Sequence, residues 1–355
     1  MDRKYYNKRR VKDSFMLGML IMKKIIKLIT TITMLVGFCF GLVACDGVKE
    51  QELGTTQELG TTQGTECVVY AVVDGEAWVL GYDGSDSRVE IAETYNNAPV
   101  TTIVDYAFKN STITSVVIPD SVTNIGYGAF YACESLLYAE IGNGVTIMGG
   151  YAFYGCTALK VVKMSDCAMS IGERAFDGCT SLMVAEMSNS VTSIGEYAFN
   201  NCDSLTSIMI PDSVTSIGDY AFNNCDSLIG VVIGEGVTSI GEYAFNDCDG
   251  LIGVVIGNGV TSIGKYAFYS CGNLTGITIP DSVTSIGEYA FYDCDSLTSV
   301  VIGKGVTSIG AYAFYYCGGL TTINYRGTQS QWSSISKSWS SVPSSCTIAY
   351  NYNGE

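Results

Sequence analysis

The chain has 355 residues, 47% of them hydrophobic and 15% charged, with 35 Asp and Glu against 19 Lys and Arg and a formal net charge of −16. It contains no histidine, so Ser-His-Asp triads, Cys-His dyads and histidine-ligated metal centres cannot be assembled within it. The acidic balance argues against nucleic acid, which needs a basic face, and favours solubility and basic partners or divalent cations.

Residues 1–44 read as export machinery. Met22-Lys23-Lys24 opens a basic region, and Ile25 to Ala44 is apolar apart from Lys27 and a few threonines and glycines. The segment ends in Leu42-Val43-Ala44-Cys45, which resembles a bacterial lipobox, the motif in which the cysteine is lipidated and becomes the new N-terminus. The expectation is a signal peptide with lipid on Cys45; the alternative is a retained span, since about 20 apolar residues cross a bilayer. Met22 is the expected start, with residues 1–21 an over-extended upstream run. Without residues 1–44 the chain keeps 10 basic and 33 acidic residues, a formal charge of −23. Residues 45–66 hold a direct repeat, Gln51-Glu52-Leu53-Gly54-Thr55-Thr56 followed by Gln57-Glu58-Leu59-Gly60-Thr61-Thr62. They have almost nothing to bury and are expected to form a flexible tether.

Residues 67–100 are expected to form an N-terminal β cap, with Val68 to Val73, Asp74-Gly75 and Glu76 to Leu80 making a hairpin with a two-residue turn. The body of the chain is periodic. Phe108, Phe130, Phe153, Phe176, Phe199, Phe222, Phe245, Phe268, Phe291 and Phe314 are spaced first by 22 residues and then by 23. A fixed period of that size marks a solenoid of stacked supersecondary units. One repeat runs Leu205-Thr-Ser-Ile208-Met-Ile210-Pro-Asp-Ser-Val214-Thr-Ser-Ile217-Gly218-Asp-Tyr220-Ala221-Phe222-Asn-Asn-Cys225-Asp-Ser. Its Leu-x-x-Ile-x-Ile part alternates like a strand, and Pro211-Asp212-Ser213 or Gly234-Glu235-Gly236 is turn chemistry. Val214-x-x-Ile217 is a second short extended piece, and Tyr-Ala-Phe-x-x-Cys is expected to make a single helical turn.

Leu-x-x-Ile-x-Ile followed by Val-x-x-Ile-Gly-x-x-Ala-Phe-x-x-Cys resembles the leucine-rich repeat of the BspA-like bacterial surface proteins. The resemblance covers ten repeats over residues 101–325. Tyr82-Asp83-Gly84 before the array, and Tyr325-Arg326-Gly327-Thr328 with Gln331-Trp332 after it, are similar to that family's end segments. It implies a leucine-rich repeat solenoid, mostly β, with parallel strands; ten strands stacked at about 4.8 Å each make a gently curved slab roughly 50 Å long. It also implies adhesion or protein binding at the outer face of a bacterial membrane, without one shared ligand. Residues 326–355, with Trp332, Ile335, Trp339 and Tyr350, are expected to close the far end.

Four stripes are candidate sites. Nine cysteines from Cys133 to Cys317 recur every 23 residues, one per repeat, and read as small buried hydrophobes rather than disulfides. Glu173, Glu196, Asp219 and Glu242 form a carboxylate row, with Asp203, Asp226 and Asp249 in a second; both read as solvated edges, with a divalent cation as the sharper alternative. Tyr197 to Tyr312 form a row that either fills space or stacks on sugars. The strand face is the favoured site. With Ile208 and Ile210 inward, Ser207 and Met209 point out, which assigns Val161, Val184, Ser207, Met209, Val232, Val255, Thr278 and Val301 to a ligand-binding surface. No catalytic residue, metal or cofactor is expected. The expected partner is an extracellular protein, from host matrix or a neighbouring cell, or a glycan; a structural spacer is the rival, and a glycosidase or peptidase would need a non-repeated constellation that the repeats do not offer.

Overall fold

Each 23-residue period contributes two strands, and stacking them makes a parallel β-solenoid of about 12 rungs. The computed structural model describes residues 65–353 apart from Ser165, Cys167, Ala168 and Trp339. The Leu-x-x-Ile-x-Ile segment gives a four-residue strand such as Ser207–Ile210, and the second extended piece a two-residue strand such as Ser216–Ile217. The first kind forms the front face, in a five-stranded and a seven-stranded sheet; the second runs without interruption through a 14-stranded sheet. Pairing is rung to rung in register, with Ser207 beside Gly230, Ile208 beside Val231, Met209 beside Val232 and Ile210 beside Ile233.

The core derives from that register. In the 205–227 rung Leu205, Ile208, Ile210, Val214, Ile217, Ala221, Phe222 and Cys225 are all buried, and equivalent side chains stack from rung to rung. The ten phenylalanines form one continuous column. From Phe153 to Phe314 their ring centroids are 5.1–5.2 Å apart and adjacent planes diverge by 12° or less. Stacked aromatic pairs contribute about 0.5–1.5 kcal/mol each beyond area burial. The glycine that follows the second strand in every repeat from Gly126 on is a steric requirement of the stack: a Cβ on Gly241 would lie 2.6 Å from the carbonyl carbon of Gly218.

Three features depart from expectation. The Tyr-Ala-Phe-x-x-Cys segment is a run of tight turns, not a helical turn. Its tyrosines have left-handed backbone, as at Tyr220 with φ 56° and Tyr243 with φ 53°. The reason is lateral bonding: the N–H groups of Tyr197, Phe199 and Asn201 donate to the carbonyls of Asp219, Ala221 and Asn223 in the next rung, at 2.7–2.9 Å. Those donors are then unavailable to a helix. Second, the array is longer than ten rungs. Arg88–Glu90 pairs in parallel with Ser115–Ile118, and Thr347–Ala349 with Thr322–Tyr325, so segments read as caps add a rung at each end. Outside the first of these sits the hairpin of Val68–Val73 and Glu76–Tyr82, turning through Asp74 and Gly75 at positive φ. The one helix among the described residues, Gln329–Ser334, is held by a Thr328–Gln331 capping box and buries Trp332 against Tyr325. Third, the front face is split between Val184–Glu186 and Ser207–Ile210. Ala185 and Met187 are only half-buried there, although Ala139 and Met164 at the same positions of earlier rungs are fully buried; the Val184–Glu186 strand is short and its ladder lapses.

Candidate binding face

Inside and outside alternate along most front strands, with Gly230–Ile233, where Gly230 is itself buried, and the uniformly half-buried Val184–Glu186 as exceptions. In Ser207–Ile210 the two isoleucines are buried while Ser207 is half-exposed and Met209 is 50% exposed. Val161 and Val184 lie on the five-stranded sheet, whereas Ser207, Met209, Val232, Val255, Thr278 and Val301 share the seven-stranded one. The eight residues assigned to one surface therefore belong to two patches of different chemistry.

The five-stranded patch is charged. Lys163 Nζ lies 2.7 Å from Glu140 Oε1, Tyr138 donates to Glu140 at 3.0 Å, and Arg88 pairs with Glu90. Partial burial pushes the Glu140 carboxyl up, but its bonds from Lys163 and Tyr138 outweigh this and leave it below its ordinary value. Such exposed pairs contribute about 0–1 kcal/mol each. The seven-stranded patch carries no charged side chain at the outward positions of Ser207–Ile210, Gly230–Ile233, Gly253–Ile256, Gly276–Ile279 and Ser299–Ile302. This is the apolar part of an otherwise acidic surface.

The structure adds residues that strand alternation misses. Ile229 and Ile252, just before their strands begin, are 52% and 50% exposed. Other rungs carry Thr206, Thr275 and Thr298 there, so comparing repeats at that position was the available signal. The isoleucines form one bank of the patch, and Met209, Val232 and Val255 the other. Between them runs a row of three glycines, Gly230, Gly253 and Gly276, paired rung to rung.

The other stripes serve the fold. Tyr197, Tyr220, Tyr243, Tyr266 and Tyr289 stack with centroids 4.4–4.8 Å apart and planes within 6°. Each inner ring has both faces covered by neighbours, leaving edges outward, so a sugar has no face to stack on. Arg174 takes the tyrosine position in its rung and lays its guanidinium 3.9 Å over the Tyr197 ring. Carboxylates are used as backbone acceptors: Asp219 takes the N–H of Glu242 at 2.7 Å, Asp212 that of Glu235 at 2.8 Å, and Asp120 that of Asn143 at 2.7 Å. The Asn143 bonds hold the Asp120 carboxyl below its ordinary value. Among the described residues no group of three or more Cys, Asp or Glu is arranged to hold a metal ion.

All eleven described cysteines are free. Each ladder thiol donates to the carbonyl of a phenylalanine in an adjacent rung, as Cys225 Sγ to Phe199 O at 3.3 Å and Cys248 Sγ to Phe222 O at 3.2 Å. Burial pushes the Cys202 and Cys225 thiols well above their ordinary range. They are inert core groups.

Comparison with known proteins bears on the repeat. No curated protein matches the chain. Among solved structures, a leucine-rich cell surface protein of Faecalibacterium prausnitzii is 26% identical, with 79% of this chain and 98% of that one covered and a TM-score of 0.38. The leucine-rich repeat protein of T. pallidum is 22% identical over 67% of this chain and 91% of that one, TM-score 0.46. The pneumococcal vaccine antigen PcpA is 17% identical over 84% and 95%, TM-score 0.35. The model of the BspA type leucine rich repeat region matches residues 101–229 and 215–339, most of the described chain, and the protein belongs to that family.

Proposed function

We propose that this protein binds another protein through its front face, is held at the outer surface of a bacterial membrane by lipid on Cys45, and performs no catalysis. The observation that carries the reading is the seven-stranded patch: contiguous, uncharged and apolar on a strongly acidic chain, with Met209, Ile229 and Ile252 each about half exposed. Exposed apolar patches of this kind mark interaction sites. The repeat family supports a binding scaffold, and the carboxylates and thiols of the array recur as repeat positions, not as a constellation that breaks the pattern. Cys45 and the tether up to residue 64 lie outside the described residues; the lipobox-like Leu42-Val43-Ala44-Cys45 supports the anchor.

Two experiments test it. A screen of the full chain against matrix proteins, cell-surface proteins and cell-wall glycans identifies a ligand. Val232→Lys with Val255→Lys is then expected to weaken its binding at least tenfold with an unchanged melting temperature; unchanged affinity in a folded variant rules the face out. Cys45→Ala is expected to abolish metabolic incorporation of lipid, and labelling at the wild-type level refutes the anchor.

A further inference from the structure

One member of the glycine row, Gly253, has no explanation inside the fold, whereas a Cβ on Gly276 would lie 3.3 Å from the Ser299 carbonyl oxygen. Nearly every other glycine of the array abuts a neighbouring backbone, as Gly257 does, where a Cβ would fall 2.5 Å from the Gly234 carbonyl oxygen. Gly253 is the exception: a Cβ there meets nothing within 4 Å. It is the first residue of its strand, which pairs in register with Gly230–Ile233, so no bulge requires it, and glycine is a poor strand former. The remaining reason for glycine in a regular strand is close approach of something from outside. Gly230, itself buried, together with Gly253 and Gly276 leaves a row without side chains along the solenoid axis, the floor of a shallow channel between Ile229 and Ile252 on one side and Met209, Val232 and Val255 on the other.

Carboxylates stand beyond both banks. Asp203, Asp226 and Asp249, all exposed, precede the buried leucine that opens each front strand by two residues; Asp212 and Glu235, also exposed, come two residues after the strand. Among the described residues none of the five is ion-paired with a lysine or arginine. The surface is thus an apolar channel with an acidic margin on each side over its first rungs; farther along, the positions after the strand are Asn258, Asp281 paired with Arg326, and Lys304. Resting on the reading of the front face as the binding face, we propose that its partner presents a basic amphipathic α-helix, lying along the solenoid axis with its apolar stripe on the glycine floor and Lys or Arg on both flanks. The dimensions select a helix. A four-residue strand spans about 13 Å, which a helix about 10–12 Å across fills, whereas a single extended chain reaches one margin only. The five rungs from Met209 to Val301 extend about 19 Å along the axis, the length of a helix of about 13 residues. Burial, together with neighbouring Asp203 and Asp249, raises the Asp226 carboxyl above its ordinary value, a crowding that a cationic partner relieves.

The test uses the full chain and three synthetic probes: an 18-residue Leu/Lys peptide patterned as an amphipathic helix, its Leu/Glu counterpart, and a Leu/Lys peptide of the same composition with the pattern scrambled. The patterned Leu/Lys peptide is expected to bind at least tenfold more tightly than either control, less tightly as salt rises, and to gain helicity on binding. The decisive variant is Gly253→Val. It leaves the charge unaltered, adds apolar surface and favours the strand, so its melting temperature should hold or rise. Filling the floor should nevertheless weaken the peptide at least tenfold. Undiminished binding to Gly253→Val, equal binding of either control, or no binding of the patterned Leu/Lys peptide overturns the proposal. Ile229→Ser with Ile252→Ser separates the two readings. Equal binding of the Leu/Glu peptide that this variant abolishes would remove the basic helix and keep the front face; Leu/Lys binding that it leaves intact would remove the front face itself.

Discussion

Two glycines eleven residues apart in one rung should respond oppositely to the same methyl group. At Gly264 a Cβ would lie 2.5 Å from the Gly241 carbonyl oxygen, 2.6 Å from its carbonyl carbon and 2.8 Å from Glu242 N. All three are backbone atoms of the adjacent rung, so no side chain can swing away, and separating the rungs stretches the Gly264 N–H bond to Ile240 O, now 2.9 Å. Overpacking of this kind costs about 1–3 kcal/mol. A weakened backbone bond adds about 1. Gly264→Ala should therefore lose about 2–4 kcal/mol. Gly253→Ala places its methyl in open space and should gain about 0.5–1 kcal/mol by restricting the unfolded chain. Because rungs interact only with their neighbours, the Gly264 defect should also loosen the array locally. The assay is urea unfolding of both variants, with hydrogen exchange of amides in the 240–265 region. Variants that agree within about 0.5 kcal/mol would refute the account of why one glycine is required and the other is not.

The thiols from Cys133 to Cys317 should resist alkylation in the folded chain and react fully after denaturation without reductant; disulfides between residues 23 apart in a mass spectrum would contradict this. The Asp226 carboxyl is raised by burial first and then by Asp203, Asp249 and Asp247. A carboxyl with a folded value above its unfolded one binds its proton more tightly in the fold, so its contribution declines as pH rises from about 4 through the raised value. Asp226→Asn should consequently raise the melting temperature at pH 7 and leave it unchanged at pH 3; an equal shift at both would show that titration is not the cause.

The rung was legible in the sequence because its signals repeat and agree. The phenylalanine spacing gives the period, strand alternation gives Ile208 and Ile210 inward and Met209 outward, and Asp74-Gly75 marks the hairpin turn. What was not legible depends on the neighbouring rung. Tyr-Ala-Phe-x-x-Cys buries Ala, Phe and Cys at spacings one helical turn would also satisfy, and only lateral bonds such as Phe199 N to Ala221 O decide against the helix. Arg88–Glu90 and Thr347–Ala349 are strands because a partner strand lies beside them, while their own sequences lack the full repeat. The split of the front face at Ala185 and Met187 is likewise a loss of cross-rung contact that no single rung announces. For the binding patch, Met209, Val232 and Val255 came from alternation; Ile229 and Ile252 did not, because they precede the strand.

In a chain of near-identical rungs, whatever every rung carries is explained by stacking, and specificity must reside where rungs differ. The phenylalanines, thiols and invariant glycines fall in the first class. Ile229 and Ile252 fall in the second: Thr206, Thr275 and Thr298 occupy the same position in flanking rungs of the same sheet, so the fold tolerates threonine there. Ile229→Thr with Ile252→Thr returns both rungs to that pattern. Exposed positions usually shift stability by less than about 0.5 kcal/mol each, so the melting temperature should hardly move. Binding should fall at least tenfold, because one bank of the channel loses its two largest apolar side chains and an interface draws most of its energy from a few such residues. A variant that folds as before and binds as before would mean that the departures from the repeat are drift, and that the front face owes its uncharged centre to strand propensity alone.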